Sequence, residues 1–412
     1  MGDQAMDFYD LLAPETRADP YQLYHRMRRE APISWSEQLQ SWVIVRYRDV
    51  FPLLRDPCLS TARPWREGDN RAERGRPDLL VLRKALARWL AFLDPPDPIA
   101  IRAIADHVFT PGVIARIRRR LQRVVDALLD RTAPLGQIDV IRDLARPLPV
   151  LALAMLLGAP GADRAQVLVW TDQIGRAAEI YSGPALQEHA GESLEHLTRY
   201  YEGLIARLPD RSLDALLSPQ GPEIALSEAE EMLATAAMFT FAGHATTQNL
   251  IGNAMATLLR HPEQLSRLKE HPSLTIIALE ELMRYESPIQ YLHRVALVDT
   301  VVEDSVIRAG QMVLLCIGSA NRDPEQFRNA DLLDIARANN RHLTFGQDAH
   351  FSFSAALARL VGQIVIETLV RRLDSPRLLS PTLEWQPDLI ARGLASLPVG
   401  FDALADTERS AR

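Results

Sequence analysis

The stretch FGQDAHFSFSAALAR, Phe345 to Arg359, passes from a polar loop into an apolar run. From about Ser354 to Leu373 the apolar residues recur at helical spacing, so the loop should feed a helix. Asp348 and His350 are metal-capable, but two residues in one loop are too few for a site. The serines at 352 and 354 stand where the loop turns into the helix.

Other motifs precede this one in a fixed order: LDPPDPIAIR (Leu93–Arg102), AGHATT (Ala242–Thr247), EELMR (Glu280–Arg284), YLHR (Tyr291–Arg294) and NRDP (Asn321–Pro324). Each alone is weak. Together, spread over nearly the whole chain, they resemble the cytochromes P450, whose loop pattern is F-G-x-G-x-H-x-C-x-G-x-x-L-A-R. Phe345, Gly346, His350, Leu357, Ala358 and Arg359 match it. The resemblance implies a mainly α fold with a small β-rich lobe, and a haem between the AGHATT helix and the loop. It places Arg102, Arg294 and His350 at the haem propionates and Ser352 at the axial-ligand position. Glu281 and Arg284 become a structural i,i+3 pair that holds the meander.

The departures from the family pattern are specific. The ligand cysteine is Ser352, whose hydroxyl is not ionised at neutral pH and cannot push electron density onto iron as a thiolate does. The acid of the acid–threonine pair is Ala245, leaving Thr246. Aligning Asp331–Asp334 with the family's D-R-F-D segment puts Leu332 in place of an arginine that joins Glu281 and Arg284. Asp348 and Ser354 replace loop glycines, and Pro98 replaces a residue that contacts a propionate.

These changes lead to the expectation of a haem-free or haem-silent, non-redox enzyme of cyclase or isomerase type. It would act on a hydrophobic metabolite in natural-product biosynthesis, with His244 and Thr246 as pocket candidates and no metal. His244 itself reads as packed or hydrogen-bonded. One alternative is an accessory protein that activates a pathway enzyme such as a glycosyltransferase. Another is a haem protein ligated by Ser352 or water. The expected partners are a hydrophobic small molecule and a pathway enzyme.

Composition is compatible with this reading. The chain has 412 residues, 47% hydrophobic and 24% charged, enough for a large core, and no low-complexity linker divides it. A single domain over 1–412 is expected, with its β-rich lobe drawn from roughly 30–60, 290–320 and 375–402. A net charge of −7 argues against nucleic acid, and the arginine run at 116–120 reads as a solvated helix face. Cys58 and Cys316 form no C-x-x-C motif and read as small hydrophobes. The acidic first twenty residues lack an apolar run, which gives an expectation of a cytoplasmic protein without a membrane anchor.

Along the chain, helices are expected at Pro20–Ala31, Arg48–Asp56, Pro111–Asp130, Ile141–Leu157 and Gln187–Leu208. A long one should run from a Ser227 N-cap to about His261, with two shorter ones before Ser287-Pro288. ISWSEQLQSWVIVRY alternates as a hairpin, and strands are expected on either side of Gly310. The Arg-rich stretch Ser60–Asp78 reads as a lid loop, and it and 163–208 resemble the family's substrate-recognition segments.

Overall fold

A computed structural model describes residues 8–61, 94, 110–156, 160–177, 184–207, 226–347, 352 and 354–405. The lid stretch beyond Thr61, together with Pro98, Arg102, Asp348 and His350, lies outside the described residues.

The first part of the chain supplies α1 (Pro14–Ala18), α2 (Tyr21–Glu30), β1 (Ile33–Ser36), β2 (Ser41–Ile44), α3 (Tyr47–Leu53) and β3 (Leu59–Ser60). The helical body contains α4 (Pro111–Asp130), β4 (Gln137–Asp139), α5 (Pro147–Leu156), α6 (Arg164–Ala177), α7 (Pro184–Arg207), α8 (Leu226–Arg260), α9 (Pro262–Glu270) and α10 (Thr275–Tyr285). Then come β5 (Leu292–Ala296), β6 (Thr300–Val302), β7 (Ser305–Ile307), β8 (Met312–Leu315), α11 (Ile317–Ala320) and α12 (Ala355–Arg372). The tail adds β9 (Leu373–Asp374), β10 (Arg377–Leu378), β11 (Pro398–Gly400) and β12 (Ala403–Leu404).

The principal sheet has the order β1-β2-β8-β5-β3. The expected hairpin pairs Ile33 with Ile44, and β2 then runs parallel to β8, joining segments far apart in sequence. β8 is covered on both faces, which is why MVLLCI is a continuous apolar run. Val313 and Leu315 pack with Ile44, Tyr47, Val50 and Phe327, while Leu314 and Cys316 pack with Tyr24, Met27 and Val43. Gly310, at φ +88°, makes the turn into β8, a backbone region that a side chain would strain.

The tail does not join this sheet. β10 and β11 form a separate three-stranded sheet with β4, where Val399 faces Ile138. A three-residue strand, QID, lies below the length at which alternation can be recognised, so β4 was invisible to the sequence reading.

In the helical body, α8 crosses the molecule and packs against α5, α7 and α12. It begins at Leu226, so Ser227 falls in its first turn and is not the cap. α4 matches its expected bounds, burying Ile114, Ile117, Leu121, Val125 and Leu129 along one side. Ile141–Leu157 is not one helix. It opens with a π-helical turn, Ile141–Ala145, in which the Arg146 amide donates to the Ile141 carbonyl at 2.9 Å, five residues back. Pro147 has no amide hydrogen to continue the ladder, so α5 restarts there, where a first-turn proline is tolerated. Among the described residues, no helix is long and apolar enough to cross a membrane.

Candidate functional site

The site is framed by a buried ion network on α10. Glu281 and Arg284 face the same side one turn apart, both completely buried. Arg284 Nε and Nη2 donate to the Glu281 carboxylate at 2.7 and 2.9 Å, and its Nη1 reaches the carbonyls of Asn321 and Ala330, each at 2.8 Å. Burial pulls the Arg284 pKa down, but its pairing with Glu281 opposes that.

A second cation completes the network. Arg337 Nε sits 3.0 Å from each Glu281 oxygen, and its Nη atoms donate to the carbonyls of Arg328, Asn329 and Leu332. The expectation that Leu332 has displaced the meander arginine is therefore corrected. Leu332 is 63% exposed and contributes only its carbonyl, while Arg337 takes the arginine role. The signal was present in DLLDIAR, where Arg337 stands three residues after Asp334. A four-residue comparison stopped short of it. The Glu281 carboxylate also accepts from the Asp334 amide and Asn340, each at 3.1 Å, so α10 gathers the meander around one buried charge.

The neighbouring acid ties this framework to the loop. Arg359, in the first turns of α12, donates to Glu280 through Nε at 2.7 Å and Nη2 at 2.8 Å, while the His342 ring lies 3.0 Å away. Burial raises the Glu280 pKa, but the Arg359 and His342 hydrogen bonds and charges outweigh it and hold the carboxyl at about 2. The Arg359 guanidinium covers the Phe345 ring at 4.4 Å. Asn321 of NRDP fastens the segment leading in, accepting from the Leu343 amide at 2.8 Å and donating to Thr344 Oγ1 at 3.0 Å. Sequence reading did not single out Glu280 or His342, because an acid and a histidine 62 residues apart carry no local pattern.

Held in this way, the loop places Ser352 just before α12. Gly346 adopts φ +73°, and the Ser352 amide donates back to the Phe345 carbonyl at 2.8 Å. The Ser352 hydroxyl lies 3.2 Å from that of Ser354, which is buried at the N-cap of α12. The chain's two cysteines are elsewhere: Cys58 precedes β3, and Cys316 is buried after β8, its thiol pushed up to about 12 by burial.

AGHATT lies within α8. Ala245 is exposed and Thr246 half-buried, whereas Gly243, His244 and Thr247 are buried. His244 does not share the Ala245 surface. Its Nε2 is 3.1 Å from the Arg146 carbonyl and its Nδ1 is 3.5 Å from Asp172, which also pairs with Arg146. Burial depresses its pKa to about 4, so the ring is neutral at pH 7. This histidine joins α8 to α6 and to the chain just before α5, and of the two pocket candidates only Thr246 lies beside the exposed surface.

Arg294, on β5, is 3% exposed. Its Nη1 donates to the His293 carbonyl at 2.8 Å, and among the described residues its Nε has no hydrogen-bond partner. Burial lowers its pKa to about 10, opposed by the charge of Asp94. Asp94 is itself engaged with Ser60 and with the Thr61 amide and hydroxyl. A buried guanidinium with an unused donor suits an anionic group. These residues therefore fit the carboxylate edge of a haem. The Ser352 hydroxyl, paired with a second hydroxyl, does not fit thiolate ligation of its iron.

Comparison with known proteins agrees with the framework. The sequence profile of the family described as Cytochrome P450 matches residues 206–355. The chain is 35% identical over 399 residues to cytochrome P450 monooxygenase PikC of Streptomyces venezuelae, covering 94% of this chain and 92% of that one. It is 30% identical over 405 residues to the polyketide biosynthesis cytochrome P450 PksS of Bacillus subtilis, covering 94% and 97%. Among solved structures, P450BioI in complex with an acyl carrier protein bearing hexadec-9Z-enoic acid superposes with a TM-score of 0.87. That match has 32% identity and covers 94% of this chain and 99% of the other. A buried Glu–Arg–Arg network, a clamped loop ahead of a long helix and full-length relatives at this identity have one common source: the chain belongs to the cytochrome P450 family.

Proposed function

We propose that this chain has kept the P450 scaffold and given up thiolate-haem monooxygenation. It acts as a haem-silent, non-redox enzyme of cyclase or isomerase type on a hydrophobic metabolite. The observation that carries this is Ser352, a half-buried hydroxyl 3.2 Å from Ser354 Oγ at the family's ligand position. A hard, un-ionised oxygen does not supply the electron push of a thiolate. Ala245 supports the same reading, since a methyl group relays no protons. An apolar cavity that excludes water and holds one conformer promotes ring closure and isomerisation without a redox step. The named role of PksS in polyketide biosynthesis supports a natural-product substrate, and the acyl chain carried in the P450BioI complex supports a hydrophobic one.

A second reading, haem retained with serine or water as ligand, is favoured by Arg294, whose buried Nε suits a propionate. Absorption spectroscopy separates the two. The purified chain, incubated with haem, should show no Soret band, and pathway intermediates should turn over without reductant or oxygen. A Soret band of a non-thiolate haem would establish the second reading instead. A reduced, carbon-monoxide-treated sample with a thiolate-type band, or turnover strictly dependent on reductant and oxygen, overturns both.

A further inference from the structure

We propose that the hydrophobic metabolite is a carboxylic acid and that Arg294 receives its carboxylate. This rests on the haem-silent reading, in which no propionate competes for that guanidinium. Six arginines are buried among the described residues, and five of them are well supplied with acceptors. Arg284, Arg322, Arg372 and Arg392 each have a carboxylate oxygen, at 2.7, 3.3, 2.6 and 2.5 Å. Arg28 has the carbonyl and hydroxyl of Ser319 and the His25 ring. Arg294 differs. Among the described residues it has the carbonyl of its own neighbour, no ion pair, and a buried Nε that donates to nothing.

Asp94 does not fill this gap. Its carboxylate is engaged by the Ser60 hydroxyl and by the Thr61 amide and hydroxyl, and its charge acts on Arg294 without an ion pair. β5 lies between β8 and β3, so the base of Arg294 is held from both sides. Val313 stands opposite it, and Ala296 and Leu315 share that face, all fully buried. A donor fixed in an apolar wall is pre-organised for a single negative charge on an apolar body. A small hydrated anion would lose its water without burying enough apolar surface to offset the loss. A phosphate ester is disfavoured because one guanidinium, already in the field of Asp94, balances one charge and not two.

The test is calorimetric titration of the full chain with dodecanoate, with dodecan-1-ol, dodecyl phosphate and acetate as separate arms. Absorption after addition of haem is recorded on the same sample. Dodecanoate should bind about tenfold or more tighter than the alcohol or the phosphate, and acetate should not bind. Arg294→Gln should bring acid and alcohol level without weakening the alcohol, and Arg294→Met serves if the glutamine variant does not fold. In the natural chain, the labelled carboxyl carbon of bound dodecanoate, followed by NMR, should stay ionised to lower pH than in water. With no Soret band, three results overturn this proposal and leave the haem-silent reading standing: equal binding of acid and alcohol, a preference that survives loss of the guanidinium, or a bound carboxyl that titrates as in water. A Soret band overturns the haem-silent reading and this proposal with it.

Discussion

Replacing Arg337 by Ala tests whether the meander is built around Glu281 as described. The substitution deletes two contacts at 3.0 Å to a fully buried carboxylate, and leaves the carbonyls of Arg328, Asn329 and Leu332 without that donor. Stripping a buried carboxylate of its only counterion costs about 3–5 kcal/mol. Here Arg284 remains at 2.7 Å, and the Asp334 amide and Asn340 still donate. The loss therefore falls lower, at about 2–4 kcal/mol, set by charge-assisted hydrogen bonds worth roughly 1.5–3 kcal/mol each when buried. Arg337→Lys keeps the charge but not the fork and should lose about half as much. Urea denaturation followed by far-UV circular dichroism reads this as a lower midpoint at unchanged slope. Leu332→Arg is the control: at 63% exposure it should change stability by no more than about 0.5 kcal/mol. A neutral Arg337→Ala, or a stabilising Leu332→Arg, would refute the assignment of the third charge to Arg337.

The Glu280 clamp predicts acid sensitivity. Its folded pKa of about 2 lies below its ordinary 4.5, so its stabilisation is complete above pH 4.5 and is lost as pH falls toward 2. Glu280→Gln should remove that loss, at most about 3 kcal/mol, from the pH dependence of the urea midpoint. His244 acts in a higher window. Its folded pKa of about 4 lies below 6.5, so the unfolded chain takes up a proton first and stability declines from pH 6.5 to 4, which His244→Gln should flatten. At Gly393 an added Cβ would collide with the buried Asn249 carboxamide, so Gly393→Ala should destabilise by about 1–3 kcal/mol in the same denaturation assay. Finally, Ser352→Cys should confer the thiolate-type carbon-monoxide spectrum on a haem-loaded, reduced sample that the natural chain lacks. A variant that takes up haem without that spectrum would show that position 352 is not the ligand position.

The helices and the principal strands could be read from residue order, because periodicities of 3.6 and 2 are local properties of the chain. The bounds of α4, the hairpin at Ile33–Ile44 and the turn at Gly310 emerged in this way. So did the family, since its motifs are short and ordered, and Ser352 with them. What local pattern cannot carry is which distant groups meet. The Glu281–Arg337 and Glu280–Arg359 contacts span 56 and 79 residues, and β4 finds its partners only when the tail folds back to it. The same holds for His244, a polar residue in a motif whose environment is set by Arg146, in the turn before α5, and by Asp172 of α6. Charge pairing and burial depend on proximity in space, and so the framework around Ser352, more intact than its sequence implied, became visible only once the chain was folded.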